Sequence, residues 1–551
     1  MTVRTVNRFS GSTPRLAPHL LGDAAAGVAL DCKFWHGTLD SWREPLLAHT
    51  TVEGTRSSIL FDCCWLDFDS CVDTALGPVT CRQLFATGLS DYPYPVSIEF
   101  PDPEAPCEPL IRRLGVPCGD AAPEVLAGAR DPARSADKDI EGRTYAYQYV
   151  NATGLRGALS RASQAQLLYD GQSVVISGWP VPDASWGVTS VAIYRAVSST
   201  GVSMSQIAAD NAADTTWMEV GVVPIGAVSF TDSKYNDELL NALEEDVVLP
   251  PPDGLRGIVH VSSMNSLAGF VGNRIYFSEN NSYHDWPYYH DLDDNICGIV
   301  ENNGAVYVAT DGAPYVLQAA VDCKNAGCRQ PTKLPVKYPM VGCGNRRMAA
   351  LPQGVVYPSH DGLVALSGNN APTLLTHALY AQDDWHALFP ETVTPVAHGG
   401  KLFVFARGGS FVLTLAGGSE ASWPLDSHSS LSDVDVLDAF TSRNGDLYLV
   451  KPLGVWQWDR GDTIRPHQWT SPEWVTPVPT NFGASHMWFK NGAEQVTFEV
   501  DGREILDRPV YSSRVFRLPN WAVGTRWQVT IKGTGQVSLF SMATSMKELS
   551  A

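Results

Sequence analysis

The residues best suited to chemistry lie in one short segment, SYHDWPYYHDLDDN, which begins at Ser282. Its imidazole and carboxylate side chains are His284, Asp285, His290, Asp291, Asp293 and Asp294. Such groups can ligate a metal ion, and a pair of carboxylates can cleave a glycosidic bond. The segment lacks the glycine and the terminal glutamate of an EF-hand loop, and its aromatic residues and proline are typical of a connection between strands. We therefore interpret it as a polar loop and predict no metal ligand and no catalytic residue in it.

Cysteines are the second set with possible chemistry. The chain has eleven, and seven precede residue 119: Cys32, Cys63, Cys64, Cys71, Cys81, Cys107 and Cys118. Cys323, Cys328 and Cys343 form the other cluster, but no CxxC pair and no histidine at finger spacing accompanies them. Because free cysteine packs readily as a small apolar residue, we predict structural thiols rather than a metal site.

A third constellation places His428 between Asp426 and Ser430, the residue types of a hydrolytic triad. Triads are defined by geometry, and this sequence spacing does not orient the three side chains. The chain also contains no GxSxG, P-loop, HExxH or GxGxxG motif. The sequence therefore predicts a protein that is not an enzyme and that uses no cofactor.

The elements that hold these residues are predicted to be strands. Hydrophobic residues make up 44% of the 551 and charged residues 18%, which excludes a mainly disordered chain. The chain has 47 Gly and 37 Pro and few long helix-forming stretches, a composition that favours short strands and tight turns. We expect an all-β fold of several domains, because one core stops growing below this length.

The charge of the chain restricts its partners. There are 39 Lys and Arg against 59 Asp and Glu, a formal net charge of -20, which disfavours ordinary nucleic-acid binding. An acidic wall would suit DNA that slides past without sticking, although solubility alone also explains the charge. No apolar run reaches the roughly 18 residues of a membrane span, and no signal peptide is evident, so we expect a soluble protein made in the cytoplasm.

A repeated hairpin is the most informative pattern in the sequence. It occurs as GNRIYFSE from Gly272, NGAVYVATDGAPYVLQ from Asn303, QGVVYPSHDGLVALSG from Gln353, GGKLFVFARGGSFVLTL from Gly399 and NGDLYLVKPLGVWQWD from Asn444. The last four share a glycine at intervals of 45 to 50 residues, the length of a propeller blade. Glycine permits the positive φ of a turn, and alternation buries one face of each strand. The pattern predicts a β-propeller-like domain, with unrelated stacked hairpins as the alternative.

The remaining segments give the domain order. Residues 1–120 are predicted to form an N-terminal arm and the first propeller strands, with GTRSSILFDCCWLDFDS from Gly54 as a further blade. Over residues 140–235, apolar and polar residues alternate in short segments, which predicts an inserted fibronectin type III-like sandwich. Residues 121–139 are predicted to be the linker that leads into it. The blades occupy residues 250–468, and residues 470–551 read as a C-terminal β-sandwich.

Taken in order, these pieces resemble the tail nozzle, or tail tubular protein B, family of short-tailed bacteriophages (podoviruses). The resemblance runs from FSGSTPRLAPHLLGDAAAGVALDCKFWHGTLDSWREP through YAYQYVNATG, GVTSVAIYRA and PPPDGLRGIVHVSSMNSLAGFVGNRIYFSE to LYAQDDWHALFP and NGDLYLVKPLGVWQWD. It implies a virion tail protein, assembled in the host cytoplasm into a homo-oligomeric ring, typically a hexamer. The implied partners are the portal adaptor, tail fibre or tail-tip proteins, and genomic DNA that passes through during ejection.

This resemblance gives the acidic loop a role. We predict that Asp285, Asp291, Asp293 and Asp294 line or constrict the channel and keep DNA from adhering. Two other functions stay open. One is a receptor-binding or fibre-docking protein, for which Trp179 and Trp186 are candidate surface groups, with burial in the sandwich core as their alternative. The other is a polysaccharide-degrading propeller enzyme.

Overall fold

The computed structural model describes residues 3–77, 82–105, 107–130, 140–198, 216–243, 248–319, 324–342, 344–416 and 423–549. Across these ranges the fold is all-β, as predicted, and the α-helix Gln382–Ala387 is only six residues long. No helix in the described ranges has the length and apolar character that crossing a membrane requires. Short 3₁₀ helices span Pro18–Leu20, Ala184–Trp186, Asn236–Glu238, Ala326–Cys328, Asn345–Arg347, Leu375–Ala378, Pro390–Thr392 and Met546–Glu548.

The chain divides into two compact units. The first unit comprises Met1–Asp73, Leu292–Gln318 and Gln330–Ala551, and the second comprises Thr74–Asp291 and Ala319–Arg329. Both contain four-stranded antiparallel sheets built from strands that follow one another in sequence. This is the propeller-like organisation that the hairpin repeat predicted, and we number the sheets blades 1 to 6 in chain order.

The second unit holds blades 1 and 2. Blade 1 starts at the boundary residue and has strands Asp73–Leu76, Gln83–Thr87, Val96–Glu99 and Leu110–Arg113. Blade 2 has strands Arg256–Val261, Ser266–Val271, Arg274–Phe277 and Tyr288–Asp291. Their facing sides bury Phe85, Ile258 and Leu267 in one apolar core with Trp286. The two sheets are therefore held face to face by apolar contacts.

The first unit holds blades 3 to 6. Blade 3 has strands Ile296–Asn302, Ala305–Thr310, Tyr315–Gln318 and Gln330–Lys333; blade 4 has Ala349–Leu351, Gly354–Ser359, Gly362–Leu366 and Thr373–Leu374. Blade 5 has Thr394–His398, Lys401–Phe405, Ser410–Leu415 and Leu425–Leu431; blade 6 has Asp438–Thr441, Leu447–Lys451, Gly454–Gln457 and Leu46–His49. In blades 3 to 6 the predicted hairpins are the second and third strands, so the repeat is confirmed in each of these blades.

Neighbouring blades of the first unit share apolar cores. Tyr307 of blade 3 packs with Tyr357 of blade 4. Leu363 of blade 4 packs with Leu402 of blade 5. Phe403 of blade 5 lies in one cluster with Leu449 and Trp458 of blade 6 and its following turn. Alternate residues of each strand thus face the blade before and the blade after, which explains the strongly apolar repeats.

The N-terminal region, predicted to hold an arm and the first propeller strands, contributes strands to several sheets. Its strand Leu46–His49 pairs with Gly454–Gln457 and completes blade 6. The predicted extra blade is a two-stranded hairpin, Ser57–Phe61 with Cys64–Phe68. Strand pairing between segments 400 residues apart leaves no local sequence signal, because both partners read only as short β segments.

The inserted sandwich has two sheets, of three and four strands. The first contains Glu124–Ala127, Val174–Ser177 and Ser229–Asp232; the second contains Gln166–Tyr169, Ile140–Asn151, Val188–Ser198 and Met218–Pro224. Glu124–Ala127 lies within the segment predicted to be a linker, so the sandwich begins before residue 140. The later part of that segment, residues 131–139, lies outside the described residues.

The C-terminal sandwich uses both ends of the chain. One sheet contains Val3–Val6, Cys32–Trp35, Thr38–Ser41, Ala484–Lys490, Phe516–Arg517 and Gln536–Ala543. The other contains Val28–Leu30, His467–Thr470, Trp474–Thr480, Glu494–Val500, Arg503–Val510 and Gly524–Gly533, and Val28–Leu30 joins it to blade 5. The core between them contains Trp469, Trp527 and Phe540, all fully buried. The predicted sandwich over 470–551 is therefore completed by strands that precede residue 42.

Candidate functional site

The four aspartates predicted to line a channel divide between the two units. Asp285 and Asp291 belong to the second unit, and Asp293 and Asp294 belong to the first. Asp285 is half-buried in the connection to the outer strand of blade 2, where its carboxylate accepts the Leu249 N–H at 2.8 Å. Burial raises the pKa of Asp285. This residue therefore holds the backbone at the start of blade 2 and is not a freely exposed charge.

Asp291 ends the outer strand of blade 2, directly opposite Arg274 on the neighbouring strand. The guanidinium binds both carboxylate oxygens, at 2.6 and 3.0 Å, and lies 4.2 Å from the ring centre of Tyr289. Hydrogen bonds from Arg274 hold the pKa of Asp291 below its usual range. Asp291 is thus an exposed carboxylate that carries its own counter-ion.

Asp293 and Asp294 share Lys333, on the outer strand of blade 3. The Lys333 Nζ lies 2.7 Å from an Asp293 oxygen and 3.3 Å from an Asp294 oxygen. Asp293 is the more exposed, with 75% of its side chain accessible, while Asp294 also accepts the Ala313 N–H at 3.2 Å. The bond from Lys333 lowers the pKa of Asp293.

These contacts change the electrostatics that the sequence predicted. Arg274 and Lys333 offset two of the four negative charges, so the segment remains acidic but far less strongly than its composition indicates. Both cations lie on blade strands, well away from the aspartates in sequence. Sequence reasoning missed them for that reason. Within the described residues, no group of three or more His, Cys, Asp or Glu side chains could hold a metal ion.

The cysteine prediction requires one correction. Cys328 is disulfide-bonded, so it is not a free structural thiol. Cys81, Cys323 and Cys343 lie outside the described residues. Cys32, Cys64 and Cys297 are buried thiols, in agreement with the prediction for them.

The suggested triad around His428 is not formed. His428 is buried between the Ser12 hydroxyl, 2.9 Å from Nδ1, and the Tyr380 hydroxyl, 2.8 Å from Nε2. Burial lowers the pKa of His428 to about 4. Asp426 instead pairs with Arg8 at 2.7 Å. His428 is therefore a neutral core histidine at neutral pH, with both ring nitrogens occupied.

A different Ser–His–Glu arrangement is present in the C-terminal sandwich. The Ser41 hydroxyl lies 2.8 Å from His467 Nδ1, and His467 Nε2 lies 3.3 Å from a Glu494 oxygen. His467 and Glu494 have no exposed side-chain surface, and Glu494 also accepts the Gly535 N–H at 2.6 Å. The arrangement ties the N-terminal strand to two strands of the opposite sheet. We interpret it as a structural network, and no sequence spacing indicates it.

The two tryptophans considered as receptor contacts are both buried. Trp179 is 7% exposed and its indole N–H donates to the Ala227 carbonyl at 3.0 Å. Trp186 is 9% exposed and lies beneath the guanidinium of Arg113, 3.9 Å from its ring centre. Trp179 thus lies in the sandwich core, the alternative stated for it, while Trp186 is buried against the outer strand of blade 1.

Sequence reasoning also missed a buried charge cluster in the first unit. Asp73 accepts the Asn345 N–H at 3.1 Å, and Arg346 lies 3.6 Å from a carboxylate oxygen of Asp438. Burial raises the pKa of Asp73 to about 6 and also raises that of Asp438. Both aspartates lie in the first unit, each at the first residue of a strand.

No protein-family model and no curated protein matches the chain. Among solved structures, the chain is similar to BamB from Moraxella catarrhalis, with 12% identity over 74% of this chain and 97% of that one, at a TM-score of 0.26. It is also similar to the extracellular domain of the one-component system BT4673 from B. thetaiotaomicron, with 11% identity and a TM-score of 0.25. That second match covers 65% of this chain and 43% of the other. Likeness at these TM-scores carries no information on function.

Proposed function

We propose that the chain is a structural subunit of a short-tailed phage tail, and that copies of it form the nozzle ring through which DNA leaves. The observation that carries the proposal is the order of the parts: N-terminal strands, an inserted sandwich, a series of propeller-like blades and a closing sandwich. The motifs that resemble the nozzle family occur along the chain in that same order.

The charge of the chain supports the same function. A net charge of -20 per copy gives a ring a negative potential, which disfavours adhesion of a phosphate backbone during passage. Asp291 and Asp293 are the most exposed members of the acidic segment, at 54% and 75% of the side chain. They remain the candidates for a channel wall, although each pairs with one cation.

The first experiment is electron microscopy of the purified full chain together with mass photometry. We expect ring particles, six-fold when viewed down the axis, and antibody labelling of the same protein at the tail tip of virions. A chain that stays monomeric at every concentration and labels no virion would contradict the proposal.

A second experiment tests the channel wall. In virions carrying Asp291→Lys with Asp293→Lys, we expect slower DNA ejection, measured with an intercalating dye, and unchanged particle assembly. The matched control is Asp383→Lys with Asp384→Lys, which makes the same charge change on the exposed surface of the short helix. Equal ejection rates for the two virions would remove the acidic segment from the channel.

A fibre-docking or receptor-binding role is the second candidate, and one observation favours it. The C-terminal sandwich exposes four large aromatic side chains: Trp35 at 54%, Trp488 at 57%, Trp521 at 68% and Tyr511 at 76%. Exposed aromatics of this kind are typical of binding surfaces. If docking is their role, Trp521→Ser will reduce adsorption of virions to the host, while ring formation by the purified protein stays unchanged.

A further inference from the structure

A cavity of about 870 Å³ opens in the first unit, among residues that no function considered above uses. Three arginines line it: Arg56 from the N-terminal region, Arg347 from the turn before blade 4 and Arg407 from a turn of blade 5. The lining contains no lysine. We call this cavity the arginine pocket, and it is unexpected in a chain whose net charge is -20.

The three guanidinium groups are available to an incoming acidic group. Within the part of the chain that the structure describes, none of them has a carboxylate oxygen within 4.0 Å. Arg347 donates to the Val393 carbonyl at 2.9 Å, and Arg407 lies 5.4 Å from the ring centre of Phe389. A guanidinium has five N–H donors and binds carboxylates in a bidentate manner, so most of this capacity is unused.

The rim of the arginine pocket is apolar and exposed. The large exposed apolar side chains in its lining are Val52 at 72% exposure, Leu453 at 62% and Leu437 at 45%. Phe389, which lies beside Arg407, is 43% exposed. A group of exposed apolar residues around one concave site marks a binding surface rather than ordinary scatter.

Two residues at the pocket have a strained backbone. Phe389 and Leu453 have φ values of 57° and 66°, in the left-handed region that bulky residues avoid. Leu453 follows Pro452 in the two-residue turn of the blade 6 hairpin, at the position where glycine or asparagine is preferred. Strained residues of this kind cluster at active sites, ligand-binding sites and switch regions.

The chemistry of the pocket favours a protein partner. Arginine beside exposed aliphatic and aromatic groups, without lysine, is the composition of protein–protein interfaces. A DNA backbone would gain nothing from the apolar side chains at the pocket, because its phosphates and sugars present no apolar groups to them. The partner must instead present carboxylates together with apolar side chains.

A second copy of this chain meets that requirement, because its net charge of -20 makes its surface acidic. We infer that the arginine pocket is a contact between copies of the chain and receives an acidic surface segment of the neighbouring copy. Such a contact joins two different surfaces, and a contact of this type forms a ring when the rotation between neighbouring copies closes. The inference rests on the proposed ring and names a surface that holds it together.

Charge reversal in the pocket gives the test. For Arg56→Glu with Arg407→Glu, we expect the assembly constant of the full chain, from mass photometry over a concentration series, to fall at least about tenfold. The matched control, Arg503→Glu with Arg514→Glu, makes the same charge change on exposed residues of the C-terminal sandwich and leaves assembly unchanged.

A second variant separates assembly from folding. Leu453→Gly removes an apolar rim side chain and relieves its backbone strain, so its melting temperature will equal or exceed that of the native chain while assembly weakens. Alkylation of Cys71, an exposed thiol that lines the pocket, will be slower in the ring than in the monomer. The exposed Cys107 of the second unit will react equally in both.

The outcomes distinguish this inference from the proposed function. If the native chain and the arginine variant form the same rings at the same concentrations, the arginine pocket is not a contact between copies. The proposed ring is then unaffected. If the native chain never assembles, both are wrong. If the arginine variant assembles normally but loses binding of a labelled single-stranded DNA oligomer, the pocket serves nucleic acid and the inference is overturned.

Discussion

Two clusters of buried charge, one in each unit, differ in how closely their ions approach one another. In the inserted sandwich of the second unit, Arg195 pairs with Asp232 at 2.8 Å with no exposed side-chain surface on either partner. Beside them, Arg143 pairs with Glu141 at 2.5 Å. In the first unit, Arg346 lies 3.6 Å from a carboxylate oxygen of Asp438 and also interacts electrostatically with Asp73. The ions of the first cluster are joined by direct hydrogen bonds, while those of the second are farther apart.

Hydrogen bonding increases the difference between them. Asp232 also accepts the Tyr145 hydroxyl at 2.9 Å and the Lys234 N–H at 3.0 Å, and Arg195 donates to the Lys234 carbonyl. In the blade cluster, one Asp438 oxygen and one Arg346 nitrogen have no hydrogen-bond partner among the described residues. A cluster whose ions are joined by direct hydrogen bonds stabilises one arrangement of the fold. Buried carboxylates without such close partners respond to pH, because burial raises their pKa values.

The largest expected effect comes from removing the buried counter-ion of Arg195 in the sandwich. Asp232→Ala leaves Arg195 buried without a counter-ion, which costs about 3 to 5 kcal/mol. Hydrogen exchange of the strand Ile140–Asn151 in the full chain measures this loss. Adding Arg195→Met removes the uncompensated charge and should restore part of the stability. A double variant less stable than Asp232→Ala would show that Arg195 contributes by packing rather than as half of an ion pair.

The second effect depends on pH and belongs to the blade cluster. Burial raises the pKa of Asp73 from 3.8 to about 6, so the folded state holds the proton more tightly than the unfolded state. The contribution of this group to stability therefore falls as pH rises from about 4 to 6, by about 3 kcal/mol, and is constant above that range. Asp438 adds to the fall, because burial raises its pKa too.

Asp73→Asn tests that pH dependence. The variant should gain stability relative to the native chain as pH rises from 4 to 7, in urea unfolding followed by tryptophan fluorescence. The informative quantity is the change, from pH 4 to pH 7, in the stability of the variant relative to the native chain. The loss of the carboxylate contact to Asn345 contributes equally at both pH values. A difference that does not change with pH would mean that Asp73 is ionised without penalty.

The sequence predicted the structural features that depend on residues close together in the chain. Alternation and turn glycines predicted the hairpins, since both the turn at Gly304, with φ of 81°, and the strands that flank it are short-range features. Pairing of Leu46–His49 with blade 6 could not be predicted, because two short β segments carry no information on which partner each will meet.

The candidate site likewise combines features that the local sequence predicts with features that depend on distant residues. The aspartates of the acidic segment and those of the buried cluster look alike in sequence, yet Asp293 is exposed and Asp73 is buried. Their roles depend on Lys333 and Arg346, cations distant in sequence that the fold brings beside them. Composition therefore predicted an acidic protein correctly but could not say which charges are neutralised or titratable.

A smaller effect sharpens the description of the sandwich cluster. Tyr145→Phe removes one hydrogen bond to Asp232 while the Arg195 pair and the Lys234 N–H contact remain, so we expect a loss of about 1 to 2 kcal/mol. The same exchange measurement on Ile140–Asn151 will detect it. The loss should disappear in the Asp232→Ala background, because the acceptor is gone. Additive losses would contradict the assignment of this bond.

The smallest effect concerns the exposed ion pairs. Asp293→Asn removes the partner of Lys333 at the surface, where solvent screens the interaction, so the melting temperature should not change measurably. Asp291→Asn should behave in the same way despite its bidentate contact with Arg274, since both groups are solvated. A marked drop in melting temperature for either variant would mean that the acidic segment stabilises the fold. Unchanged melting temperatures, combined with altered DNA ejection in virions, would instead mean that the acidic segment acts during ejection and does not stabilise the chain.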